Sequence, residues 1–349
     1  MKRIYLVLAL LVVAGGLAAQ TLGEFKPKDQ SFGLNKAKNA KRIYIASFDV
    51  NYQVYNEKQD YKQGGHQLGG GMKGDALTEI SVGLEGLDEA TVQGITDKLY
   101  KDYIAQIEAK GLTIISPDEA AKTSSYEGYT RMSGGTITMA EIPGVLSTSP
   151  TGFEFYVKGV DKDGKMKRGG FLGNEAMKFP KLSKELDDAI IGAVDITVLF
   201  IQDQEAFKGG GAKLKVKTSL RVVGVESVIM TEDAKVKFKG QNSVTTVTST
   251  VGFYHGKMGA GATTTYSGTL AKPLFINGVI EDEKITSSAR GGMAQGTNTI
   301  YGTFYSVRNQ KTKSARTVDV DPQRYSEGVY AAASKFLNHH TGEFLKVLK

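Results

Sequence analysis

The chain has no cysteine, no tryptophan, only 7 prolines and only 4 histidines among 349 residues. Without cysteine there are no disulfides, no thiolate metal sites, no cysteine nucleophile and no lipid-modified N-terminal cysteine, so an exported form must be stable through packing alone. The apolar run Ile4 to Ala14 falls short of the ~18 residues that a membrane-spanning helix needs. Neither sign of charge dominates: 44 Lys and Arg stand against 37 Asp and Glu, a net +7 that is far from a nucleic-acid footprint. With 40% hydrophobic and 23% charged residues, disorder is excluded as the main state. What is abundant is glycine. Its 42 residues, about 12% against a typical ~7%, come in clusters without a Gly-X-Y period, which points to loops and hairpins.

Residues 1–20 run from basic Lys2 and Arg3 through the apolar Ile4–Ala14 to small residues, the order of a secretory signal peptide. Cleavage after Ala18, Ala19 or Gln20 fits. Losing Lys2 and Arg3 lowers the formal charge by two and leaves a mild positive balance.

Residues 21–40 read as an extended N-terminal arm, polar and without sustained periodicity. The spacing predicts a strand over Lys41–Val50, with Ile43, Ile45 and Ser47 on one face and Tyr44, Ala46 and Phe48 on the other, apolar on both and therefore interior. Residues 56–74, dense in glycine from Gly64 to Gly74, read as a mobile insertion. Asp88 is placed to cap a helix over Glu89–Lys110 that Gly111 ends, with Val92, Ile95, Leu99, Tyr103 and Ile107 on one face. Leu112–Ser116 returns as a strand, which completes a βαβ pattern. Short strands, among them Phe153–Val157, and a turn at Asp163-Gly164 follow. A short helix over Leu182–Ile191 then leads into a strand at Asp195–Gln202.

Beyond Gly209–Gly211, Leu214, Val216, Thr218, Leu220 and Val222 alternate with Lys213, Lys215, Lys217 and Arg221, the pattern of a long strand with one buried and one basic, wet face. Residues 239–319 are rich in Thr, Gly and β-formers, with a last hairpin arm at Thr299–Val307. Asp321-Pro322 opens a C-terminal helix with Tyr325, Val329, Ala332, Phe336, His340 and Val347 on one stripe. The expected architecture is α/β (α+β): a βαβ-containing sheet with packed helices over 41–238, extended by long antiparallel hairpins over 239–319 and closed by the helix of 320–349.

No catalytic constellation emerges. His339 and His340 are adjacent, about 100° apart on a helix, and do not form a chelating i, i+4 pair. Gly159–Met166 fits the phosphate-binding loop G-x-x-x-x-G-K-[ST] until its last position, where Met166 has no oxygen for Mg²⁺. No cofactor or metal is expected. The candidate interaction surface combines the strand cations Lys213, Lys215, Lys217 and Arg221 with the aromatics Phe253, Tyr254, Tyr266, Tyr301 and Tyr305. Residues 241–307 are either soluble hairpins or, in an oligomer, part of a barrel wall.

The order of elements resembles the CsgG family of envelope proteins and the wider group with the TolB-type N-terminal fold. The resemblance rests on Lys41–Phe48, on Ile191-Gly-Ala-Val-Asp-Ile-Thr-Val198, on Leu220-Arg-Val-Val-Gly-Val225 and on the C-terminal amphipathic helix. It implies a non-enzymatic exported protein of the periplasm, outer membrane or cell surface. Such a protein would act in secretion or assembly of surface structures, as a homo-oligomer with other envelope proteins as partners and no nucleic acid. The chain departs from the family's fibre-secretion channel in lacking a lipid-anchoring Cys and in the short stretch from Ile201 to Ala212. The alternative is a soluble extracytoplasmic module that binds glycan, peptide or lipid through the Thr/Tyr-rich β-surface. A hydrolase would need convergent polar residues that the sequence does not display.

Overall fold

The structure, a computed structural model, describes residues 20–62, 65–66, 72–73, 76–140, 142, 144–159, 176–204, 213–231, 242–288 and 315–349. It has both sheets and helices and is mainly β. The strands used below are β1 (Thr21–Leu22), β2 (Pro27–Phe32), β3 (Arg42–Gln53), β4 (Tyr55–Lys62), β5 (Ala76–Glu85), β6 (Thr113–Ile114), β7 (Val145–Thr148) and β8 (Ile190–Asp203). They continue with β9 (Lys213–Val222), β10 (Val225–Thr231), β11 (Asn242–Thr248), β12 (Thr250–His255), β13 (Thr264–Leu270), β14 (Leu274–Asn277), β15 (Lys284–Ser288) and β16 (Ala315–Asp319). The helices are α1 (Glu89–Ala109), α2 (Pro117–Ala120), α3 (Phe179–Glu185) and α4 (Pro322–Leu345).

The 14-residue strand β8 is the centre of the largest sheet. One edge pairs in parallel with β3, from Ile190↔Ile43 to Val198↔Tyr52. The other edge is shared: its first half pairs with β12 and its second half with β9, both antiparallel. β13 and β2 extend the β12 side, while β14, β15 and β1 extend the β9 side. β3 also pairs in parallel with β6, across the crossover through α1.

Helices α1 and α4 lie side by side on one face of this sheet. Asp88 and Asp321 cap them, each accepting a hydrogen bond from the amide three residues on, at 2.7 Å. The α1 stripe is buried as its spacing predicts, at Val92, Ile95, Leu99, Tyr103 and Ile107, and so are Tyr325, Val329, Ala332, Phe336 and His340 on α4, but Val347 lies past the end of α4 and is half-buried. A smaller cluster around Tyr44, Ile191, Phe179 and Leu182 fills the opposite face.

Several readings of the sequence are corrected. The strand at 41–50 runs on to Gln53, and its faces do not alternate strictly. Ile45 pairs with Gly192 and Ser47 with Ala193, so Ala46 is an extra, bulged residue that turns Phe48, Val50 and Tyr52 to the same side as Ile43 and Ile45. The N-terminal arm is built into the sheet, β1 on β14 and β2 on β13. The stretch from Asn56, read as a loop, begins with the paired strand β4, because β5 opposite it supplies the apolar Ile80, Val82 and Leu84. The short helix ends at Glu185, and β8 starts at Ile190. Between them Asp187 and Asp188 take left-handed φ of 56° and 55°, which no helix continues. The Asp163-Gly164 turn, the Gly209–Gly211 break, much of the 64–74 cluster and the Thr299–Val307 arm lie outside the described residues.

His340 fastens α4 to β13. Its Nδ1 meets the Tyr266 hydroxyl at 2.8 Å and its Nε2 meets the Thr269 carbonyl at 2.9 Å. A carbonyl only accepts, so Nε2 carries the proton and Nδ1 accepts from Tyr266. Gly268 allows the ring to lie against the strand, since a Cβ there would come within 2.3 Å of it. Burial is the main force pushing His340 down to about 4, and His339 adds to it; the Thr269 carbonyl, Asp29 and Glu343 act in the opposite direction. The unfolded chain therefore binds a proton that the native state refuses. Stability from this site is complete above about pH 6.5 and is lost as the pH falls toward 4. Thermal melts across this window should show a melting temperature falling by roughly 5 °C more in the native chain than in His340→Gln. Parallel slopes would refute the assignment.

Candidate functional site at the root of the hairpin arms

Beyond Val198, β3 stops following β8. The chain turns at Val54, where the amides of Val54 and Tyr55 both donate to the Gly144 carbonyl at 2.9 and 3.1 Å. Gly144 has φ +77°, and a Cβ on it would lie 2.2 Å from the Tyr55 carbonyl, so the corner needs glycine. From this corner β4 runs on in the direction of β8 and pairs with β5, which pairs in parallel with β16.

The departure of β3 would leave amides of β8 bare, and β8 itself slips register against β9 between Leu199 and Ile201. Gln53 repairs this: its buried side-chain oxygen accepts from the amides of Phe200 and Ile201 at 3.1 and 3.0 Å. Arg221 of β9 holds the slip from the other edge. The guanidinium is fully buried, and Nη2 donates to the Ile201 carbonyl at 2.9 Å while Nη1 donates to the Ser219 carbonyl at 2.8 Å. Nε and Nη2 fork onto the Glu226 carboxylate at 2.8 and 2.7 Å, which ties β9 to β10 across the turn at Gly224. A little further out, Lys58 of β4 is buried and paired with Asp203 at the end of β8. Burial pushes the Lys58 ammonium down to about 8, and the carboxylate beside it works in the opposite direction.

These anchors stand at the root of two hairpin arms that run to one end of the molecule. β4 and β5 face each other from Tyr55↔Gly83 out to Lys62↔Ala76, and β8 and β9 from Val198↔Val222 to Asp203↔Val216. β15 continues the layer with Lys213↔Ser288. The layers close on each other, β5 against β15 and β4 against β9, with Val216, Ile80 and Val82 between them. A further hairpin, β10 with β11, lies against β4 and β8 over Leu199, Val223, Val228 and Val247.

A scan against protein-family models matches none, and comparison with curated proteins and with solved structures finds no match.

The expected interaction surface is divided by this geometry. Lys215 and Lys217 are half-exposed on β9, Lys217 paired with Asp282, and Lys213 opens the strand. Arg221 belongs to neither a basic nor a wet face: the β10–β11 hairpin covers that end of the strand, and the guanidinium is satisfied internally. Phe253 and Tyr266 also leave the surface, because they point to the helix side and pack against α4, Phe253 stacking on Phe344 at 4.2 Å. Tyr254 is half-buried beside Phe179, and Tyr301 and Tyr305 lie outside the described residues. Gln53, Lys58, Asp203 and Glu226 escaped the sequence reading. Glu226, five residues after Arg221 across a glycine, is the one that charge spacing could have disclosed. Among the described residues no three His, Asp or Glu gather as a metal site.

The root is a holding device: Gln53, Arg221, Glu226, Lys58 and Asp203 are each committed to another group, while the buried Asn56 Oδ1 on β4 is left without a partner. Arg221→Ala would leave the Glu226 carboxylate without its partner in a partly buried site, at a cost of about 3–5 kcal/mol. Replacing both charges, Arg221→Met with Glu226→Gln, should recover much of that loss. Urea unfolding of the four members of this cycle measures the coupling, and additive single effects would show that the pair does not act as a unit.

Proposed function

We propose that the chain is an exported, non-enzymatic envelope protein that supports secretion or assembly of surface structures, in the periplasm or at the outer membrane, and works as a homo-oligomer. On this reading the α/β frame resembles that of CsgG-like proteins, and the hairpins are its working parts. The observation that carries the proposal is the gathering of two antiparallel arms at one end of the central sheet, β4 with β5 from the β3–β4 corner and β8 with β9 and β15. Arms built on a rigid root present a fixed edge and face to a neighbour, which is what an assembling surface requires. The leader-like residues 1–20 support export. The alternative, a soluble binding module using exposed rings, loses Tyr266 and Phe253 to the core.

The absence of cysteine makes the test direct. A single cysteine at exposed Thr286 on β15 should give disulfide-linked dimers in the intact envelope, whereas one at exposed Lys101 on α1 should not. Light scattering should give a mass of several chains. A strictly monomeric mass with and without detergent would remove the oligomer, and recovery of the protein only from the cytoplasm would sink the proposal.

A further inference from the structure

The end of the molecule opposite the arms has a composition of its own. His255, the last residue of β12, lies opposite Ile190, which lies opposite Ile43, so the starts of β3 and β8 and the turn after β12 share one pole. The C-terminal ends of α1 and α4 arrive there too: Thr113 bonds to the Lys41 carbonyl at 2.8 Å, and the Lys349 amide to the Lys38 carbonyl at 2.9 Å. This brings Lys36, Lys38, Lys41, Lys110, Lys346 and Lys349 together, against Glu108 and Glu343 and, just before β8, Asp187 and Asp188, which face Arg42 and Lys184. Among the described residues only Lys346 of the six forms an ion pair, with Glu343. Lysines at helix C-termini offset the negative ends of the helix dipoles, but Lys36, Lys38 and Lys41 belong to the segment before β3 and exceed that need.

The second observation is apolar. Among the described residues the large exposed hydrophobic side chains are Phe32 at 55%, Met177 at 72%, Val225 at 62% and Met258 at 52%. All but Val225 belong to this pole. Phe32 ends β2 just before Lys36, Met258 lies in the turn after β12, and Met177 precedes α3, whose Ser183 hydroxyl accepts from the amide of Gly256 in that turn.

We infer that this pole docks onto an anionic lipid bilayer, with the lysines against headgroup phosphates and Phe32, Met177 and Met258 entering the interfacial layer. Lysine carries the charge here as compact, hydrated point cations, while the pole's one described arginine at the start of β3, Arg42, is occupied by Glu119 and Asp187. Protein interfaces draw on arginine and aromatic anchors and are poor in lysine at their centre, whereas polybasic surfaces flanked by a few apolar side chains suit phosphate-covered membranes. The docking reading stands apart from the assembly proposal, because it uses no residue of the arms.

The test is sedimentation of the full chain with phosphatidylcholine vesicles, with and without phosphatidylglycerol, at low and high salt. The apolar leader is common to every sample, so the comparison reads the pole. Binding should require the anionic lipid, weaken with salt and fall about a hundredfold in the triple variant Lys36→Glu, Lys38→Glu, Lys41→Glu. Phe32→Ser with Met258→Ser should weaken it roughly tenfold. The charge-matched control Lys101→Glu, Lys215→Glu, Lys284→Glu should bind as the native chain does. Equal loss in the control would mean that net charge alone acts, and retention of poly-glutamate with no vesicle binding would assign the pole to an acidic protein; either result overturns the inference.

Discussion

Everything in this molecule answers to one requirement: a 14-residue strand buried along most of its length must have its backbone hydrogen bonds satisfied on both edges. β3 serves one edge until Val198, and β12 and β9 divide the other. The hand-over between partners is where ordinary ladder bonds fail. Side chains take over there, Gln53 from one edge and Arg221 from the other, and the hairpin arms start from the same place. A polar cluster in the core is thus the consequence of a sheet that changes partners part-way along a strand.

The same requirement explains why charge is buried at the root. An arginine alone in the interior would be prohibitive, but Arg221 has a carboxylate and two backbone carbonyls within reach, so its donors are met. Such a group adds little net stability compared with a well-packed apolar one. What it contributes is selectivity of arrangement: β10 can dock over β9 only in the register that brings Glu226 to Arg221. Lys58 and Asp203 play a similar part between β4 and β8.

Legibility from sequence followed the local physics. The two long helices were plain, because Asp88 and Asp321 act as caps and the apolar stripes keep a helical period. Alternation marks strand β9, but it says which residues share a face and nothing about what covers that face, so by itself it puts Arg221 in water. Phe253 and Tyr266 failed for the same reason: an aromatic in a β-rich segment has two faces available, and only the position of α4 decides between them. The bulge at Ala46 was invisible, since it depends on the register with Gly192 and Ala193 nearly 150 residues away. β4 was hidden by its polarity, which its partner β5 compensates.

The pairing of the first described strands has a consequence for the order of folding. β1 and β2 find their partners only in β14 and β13, at Thr21↔Asn277 and Pro27↔Leu270. A chain emerging from its N-terminus cannot close this sheet until its last third is present, and α4, which fills the core beneath, comes later still. Contacts so distant in sequence make for slow closure. The segment that leaves first therefore waits for partners from the last third of the chain, and both outer edges of the sheet stay open until they arrive.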